Sequence, residues 1–324
     1  MDKLSHGWCL ILLLSLSLCL SCAKPAEEKQ AVMTELQEED VSSRALYVNG
    51  FSNILGDRDA EKKLLEFAAS HEFDVLLLYE LHLVLDKNNA ADLAHNSKLA
   101  SFISTAKSEY GVRQVAAIGD HGDFFRDVVD PYNNSRSEAQ EKFDIYNLEF
   151  EFWIDSQVKE VYSESYLVPN GLASNVDGAF EFFVANLKEM RALAQANSHT
   201  IVTEAYIGWT DKLTGKTEDE VAELIAQNLD QLRVHAYRSK PDYAYTASRL
   251  AALAKAKPGM EVSVIFSGEE EFMQNWLESN SMESAESEFS DQLQEAATEE
   301  VKEGIDLLGF TYYNYSHNID VPIR

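Results

Sequence analysis

From Ala45 onward the apolar positions alternate between two periods. Apolar, β-branched and aromatic runs at 45–51, 74–85, 112–120, 145–153, 199–209, 230–237, 260–268 and 305–316 read as strands. The run DVLLLYELHLVL is apolar almost throughout, the pattern of a strand covered on both faces. Between these runs, apolar residues recur at helical spacing over 59–73 (Leu64, Leu65, Phe67, Ala68), 96–110, 176–198, 217–229 and 243–257. A short helix is expected around 137–143, and an acidic helical region runs to Glu303. Asn96 and Thr217 are suitable N-caps, and Pro258-Gly259 stops the helix before it. Strict alternation of strand and helix gives a parallel sheet. Eight such units within 45–324 predict a single-domain α/β fold, a closed (β/α)8 TIM barrel. An open doubly wound sheet is the competing arrangement, but no Gly-rich turn follows the first strand.

The segment before the barrel carries different information. Lys3 precedes an apolar run from Trp8 to Leu20, shorter than the ~20 residues of a membrane-spanning helix and followed by acidic sequence. This is the architecture of a signal peptide over 1–21. Cys9, Cys19 and Cys22, the three cysteines of the chain, all lie in it or at its end. Leu20-Ser21-Cys22 resembles the lipobox of bacterial lipoproteins. That resemblance implies cleavage before Cys22, lipidation of Cys22, and an exported lipoprotein held at a membrane, on the outer membrane or cell surface. Plain secretion with cleavage nearby is the other reading. Residues 22–44 read as an acidic tether, in which Lys24 with Glu27 and Glu28 resembles surface-export signals of Bacteroidetes lipoproteins. The barrel itself holds no cysteine, which excludes disulfides and thiolate metal sites from it.

Composition narrows the partners. The 324 residues carry 55 acids against 27 Lys and Arg, a net charge of −28. A nucleic-acid reader needs a basic face to displace counterions, so no nucleic acid is expected as partner. Anionic polysaccharides are disfavoured for the same reason. Residues 269–303 alone hold twelve acids and one Lys, a solvated helical face. A hydrophobic share of 45% leaves ample material for a core.

The chemistry concentrates on the fourth strand. Alternate residues of a strand share a face. Tyr146, Leu148, Phe150 and Phe152 form an apolar set suited to lie under helices. Asn147, Glu149 and Glu151 form the other set, which in a barrel points inward. Carboxylates there are costly unless partnered, and at the C-terminal end of a barrel strand they read as catalytic or ligand-binding. About 6–7 Å separates such Cα atoms, close enough for one acid to raise the pKa of the other.

The segment Asp144-Ile145-Tyr146-Asn147-Leu148-Glu149-Phe150-Glu151 resembles the strand-four signature of glycoside hydrolase family 18, the chitinases and endo-β-N-acetylglucosaminidases, Asp-x-x-Asp-x-Asp-x-Glu. Asp144 matches the first position and Glu151 the general acid. Asn147 stands at the second Asp and Glu149 at the third. Ala117-Ile118-Gly119-Asp120 falls where the family carries Ser-x-Gly-Gly, and His235-Ala236-Tyr237 where it carries Met-x-Tyr, whose Tyr holds the acetamido oxygen. The resemblance implies a neutral N-acetylglucosamine-containing glycan as ligand, substrate-assisted hydrolysis, and no cofactor or metal. A second register is open: Asn147-Leu148-Glu149 is similar to the Asn-x-Glu of family 85 endo-β-N-acetylglucosaminidases, which makes Glu149 the acid. Trp153, Trp209, Tyr206, Tyr312 and Tyr313 are candidate sugar platforms, and Glu204 a candidate partner of the strand-four acids. Asp120-His121-Gly122-Asp123 and the pair Glu80 and His82 are weak metal signals. Two further readings stand beside hydrolysis: an inactive glycan-binding lipoprotein using the same barrel mouth, and a metal-dependent hydrolase.

Overall fold

The computed structural model describes residues 42–208, 213, 215–318 and 321. Its strands are β1 Ser43–Val48, β2 Val75–Leu78, β3 Gln114–Gly119, β4 Ile145–Leu148, β5 Val202–Ile207, β6 Gln231–His235, β7 Met260–Ser267 and β8 Ile305–Tyr313. Each pairs in parallel with the next, and β8 returns to β1, where Ser43 lies beside Gly309 and Leu46 beside Tyr312. That last ladder closes a (β/α)8 barrel and excludes the open sheet. β1 begins at Ser43, inside the segment expected as tether. The Ser43 hydroxyl and the Arg44 N–H both donate to the Asp74 carboxylate, at 2.9 and 3.0 Å, and tie the first strand to the foot of β2.

The register decides which residues face inward, because partners across a parallel ladder share a face. Tyr47 lies beside Leu77, Ile118 beside Asn147, Asn147 beside Glu204, and Tyr206 beside Arg233. Arg233 lies beside Ser263, Ser263 beside Gly309, and Ala45 beside Thr311. These residues therefore fill the lumen. The alternate set faces the helices. Phe152 meets Phe180 and Phe183, each at 5.0 Å between ring centres, and Phe150 meets Phe182 at 5.2 Å. Those three partners belong to the helix Val176–Ala196, whose Asn175 cap accepts the Gly178 N–H at 2.9 Å. The aromatic layer fixes β4 from outside and leaves its other face free for polar work.

The strands are shorter than the apolar runs implied, β2 and β4 most of all in proportion. β2 stops at Leu78 because Glu80 adopts φ 60° and a 3-10 turn, Leu81–Leu83, follows. β4 stops at Leu148, although the Glu149 N–H still donates to the Gly119 carbonyl at 2.9 Å. The chain then forms helix over 122–135 and over 155–170, neither of which the apolar spacing indicated.

Candidate active site at the barrel mouth

Glu149 and Glu151 leave the C-terminal end of β4 and line one cavity of about 510 Å³ with Tyr79, Glu80, Asp120, His121, Tyr162 and Tyr166. Tyr79, one residue past β2, donates its hydroxyl to the Glu149 carboxyl. Burial pushes Glu149 from its ordinary 4.5 up to about 8; Glu151 and Asp120 push the same way, while the Tyr79 hydrogen bond pulls it back in part. The carboxyl therefore keeps its proton at neutral pH. Burial also raises Glu151, against a Tyr206 hydroxyl that donates to it at 3.4 Å. The Glu151 backbone N–H donates to the Tyr162 hydroxyl at 3.2 Å. Glu80, in the left-handed region at φ 60°, accepts from the Ser52 hydroxyl at 2.7 Å. A non-glycine residue there carries backbone strain of the kind found at functional sites.

Glu151 also lines a second cavity of about 510 Å³, walled by Trp153, Tyr206, His235, Tyr237 and Phe272. Tyr237 packs over His235 at 3.7 Å between ring centres and reaches Tyr313 at 6.0 Å. Burial, helped by the Arg249 charge, lowers His235 to about 3, so it stays neutral. Trp153 is 2% exposed, with its ring edge against Tyr206 at 5.3 Å. A Cβ at Gly208 would lie 2.6 Å from the Trp153 indole nitrogen, so only glycine lets the indole seat there.

The residues expected at the site separate into groups. Glu149, Glu151, Trp153, Tyr206 and Tyr237 come together at the mouth. Tyr313 joins them through ring contacts to Tyr47, Tyr79 and Tyr237. Asn147 and Glu204 do not reach either cavity. They lie in the lumen below, where Asn147 Nδ2 donates to Glu204 Oε1 at 2.5 Å and Arg233 pairs with the same oxygen at 2.7 Å. Asp144 stands at the opposite end of β4: its carboxylate pairs with Lys107 at 2.6 Å and His199 at 3.1 Å and accepts the Val115 N–H at 2.8 Å. It clamps strands at the barrel foot and does not meet the acids. Tyr312 points outward, where its hydroxyl donates to Met282 O and Glu286, each at 3.1 Å; its odd-even position on β8 puts it under a helix. Trp209 and Cys22 lie outside the described residues.

Two site residues, Tyr162 and Tyr166, were not foreseen; they come from the helical segment 155–170. Tyr79, an aromatic expected near the C-terminal end of its strand, stands one residue past β2. The inward parity of Tyr79 with Leu77 was the available signal. Among the described residues, no group of three His, Cys, Asp or Glu is arranged to hold a metal ion.

No protein-family model matches the chain, and no curated protein does. Among solved structures, the backbone is similar to a GH18 chitinase from Cycas revoluta in complex with (GlcNAc)3, at 13% identity, covering 86% of this chain and 96% of that one, TM-score 0.47. It is also similar to a tamarind chitinase-like lectin (11% identity, 87% and 97% covered, TM-score 0.43) and to a monomeric β-xylosidase from Caulobacter crescentus (10%, 85% and 60%, 0.47). A fold does not fix a function, so the chemistry has to be argued from side chains.

Proposed function

We propose that the barrel is a glycoside hydrolase acting on β-linked N-acetylglucosamine glycans, of chitin or N-glycan-core type, by substrate-assisted hydrolysis. The observation that supports this is the Glu149–Glu151 pair: two acids in one aromatic-walled cavity, the more enclosed of them protonated at neutral pH. Environments that part the pKa values of two acids assign their roles. Glu149 gives its proton to the leaving glycosidic oxygen as the C1–O bond breaks. The acetamido carbonyl oxygen of the substrate closes on C1. Glu151, where the two cavities meet, accepts the acetamido N–H and offsets the positive charge of the oxazolinium. Water then adds at C1, opens the ring, and returns a proton to Glu149.

A second reading, glycan binding without hydrolysis, is favoured by one contact: the Tyr79 hydroxyl occupies both carboxyl oxygens of Glu149. Incubating the protein with a high-mannose N-glycopeptide and with chitooligosaccharides, followed by mass spectrometry, separates the two. Cleavage that Glu149→Gln abolishes supports hydrolysis; binding without cleavage supports the second reading; neither binding nor cleavage sinks the substrate class. We also propose a lipid on Cys22 that carries the barrel at a bacterial membrane surface. Partition of the protein into a detergent phase, lost in Cys22→Ala, tests it; equal partition of both forms contradicts it.

A further inference from the structure

Asp120 and His121, just past β3, share the cavity of Glu149 and Glu151 but have no part in the steps above. His121 Nδ1 donates to Asp120 Oδ1 at 2.5 Å, and the other Asp120 oxygen accepts the Tyr166 hydroxyl. Both carboxylate oxygens are thus engaged, and the imidazole is fixed in orientation with its proton on Nδ1 or, when cationic, on both nitrogens. The ring also lies between Tyr166, at 5.1 Å, and Phe124, at 6.5 Å. Nε2 has no hydrogen-bond partner among the described residues. A half-buried imidazole so held, with a free nitrogen in a cavity lined by no Lys or Arg, is a strong donor there in its cationic form; His82 is the other histidine of the lining.

We propose that His121 is a ligand-anchoring residue: its Nε2–H donates to an acceptor oxygen, hydroxyl or acetamido carbonyl, of the sugar held beside Glu149, with Asp120 and Tyr166 as positioning residues. The inference rests on the sugar-binding reading above. The charges around the ring favour the donor form. Burial lowers the His121 pKa, but Asp120, Asp123 and Glu189 outweigh it and hold it above the ordinary value. Asp120 and Asp123 lie on its own connection, and Glu189 comes from the helix Val176–Ala196. Arg126, which pairs with Asp123 at 2.6 Å and Glu189 at 2.8 Å, faces the same acids, and Tyr166 approaches from 155–170.

Calorimetric titration across pH 5 to 9 tests this, with a panel of chitotriose, xylotriose and cellotriose against the full chain in the Glu149→Gln background. The expected result is binding of chitotriose that weakens as pH rises through the His121 pKa. His121→Phe should bind roughly ten- to hundredfold more weakly at low pH and lose the pH dependence. Asp120→Asn should move that dependence to lower pH, a shift that loss of packing alone does not produce. Equal affinity and an unchanged profile in folded His121→Phe would overturn the anchoring role. Binding of another trisaccharide in place of chitotriose would overturn the substrate class and leave His121 to be judged on that sugar. No binding of any sugar overturns both.

Discussion

At the scale of a single residue, the burial of Glu149 has a consequence for stability as well as for the proposed catalysis. Its folded pKa stands near 8 against an ordinary 4.5. Between those values the folded state holds a proton that the unfolded chain has released. Stability must therefore fall as pH rises across that window, by up to about 1.4 kcal/mol per pH unit. Above it, the folded protein carries a buried charge. Glu149→Gln removes that charge, so the variant should be more stable than the parent at pH 9, and the difference should shrink toward pH 5. Urea unfolding at both pH values reads it; a variant equally or less stable at pH 9 would mean that Glu149 is solvated.

At the scale of elements, β4 shows what a sequence discloses and what it hides. Strict alternation put Asn147, Glu149 and Glu151 on one face, and the ladder to β5 places Asn147 beside Glu204 in the lumen. Parity does not tell how far up the barrel a residue stands. Asn147 is therefore a lumen residue, Asp144 a foot residue and Glu149 a mouth residue, though all lie within six positions. On β8 the two candidate platforms take opposite phases: Tyr313 turns inward to the mouth, and Tyr312 turns outward to Met282 and Glu286. The segment 155–170 was illegible for a different reason. It contains π-helical turns over Val158–Leu167, whose buried residues Val158, Tyr162 and Leu167 are spaced four and five apart rather than at the α-helical period. That segment supplies the Tyr162 hydroxyl under the Glu151 backbone. Tyr162→Phe should cost about 1 kcal/mol and reduce kcat more than it raises KM, since the lost hydroxyl holds the Glu151 backbone while the ring stays in the cavity wall. Steady-state kinetics check this; a pure KM effect would make Tyr162 part of the sugar wall.

Across the whole molecule, the barrel separates a polar layer in its lumen from the acid pair at its mouth. Glu204 is fully buried with Arg233, and Asn147, Gln231 and Thr311 complete the layer. Such a pair gives little net stability while intact but strands a charge when broken. Arg233→Met should destabilise the fold by about 3–5 kcal/mol, read by denaturant unfolding; a loss below about 1 kcal/mol would show that water reaches Glu204. The net charge of −28 of the whole chain lies outside this scheme. The proposed catalytic role of the acids above the lumen is tested most directly by the pH dependence of chitooligosaccharide cleavage in the parent and in Glu149→Gln. The rate is expected to hold through neutrality and to fall as pH rises past about 8, the Glu149 value, with cleavage lost in the variant at every pH. Cleavage that persists in Glu149→Gln with the same alkaline limb would contradict it.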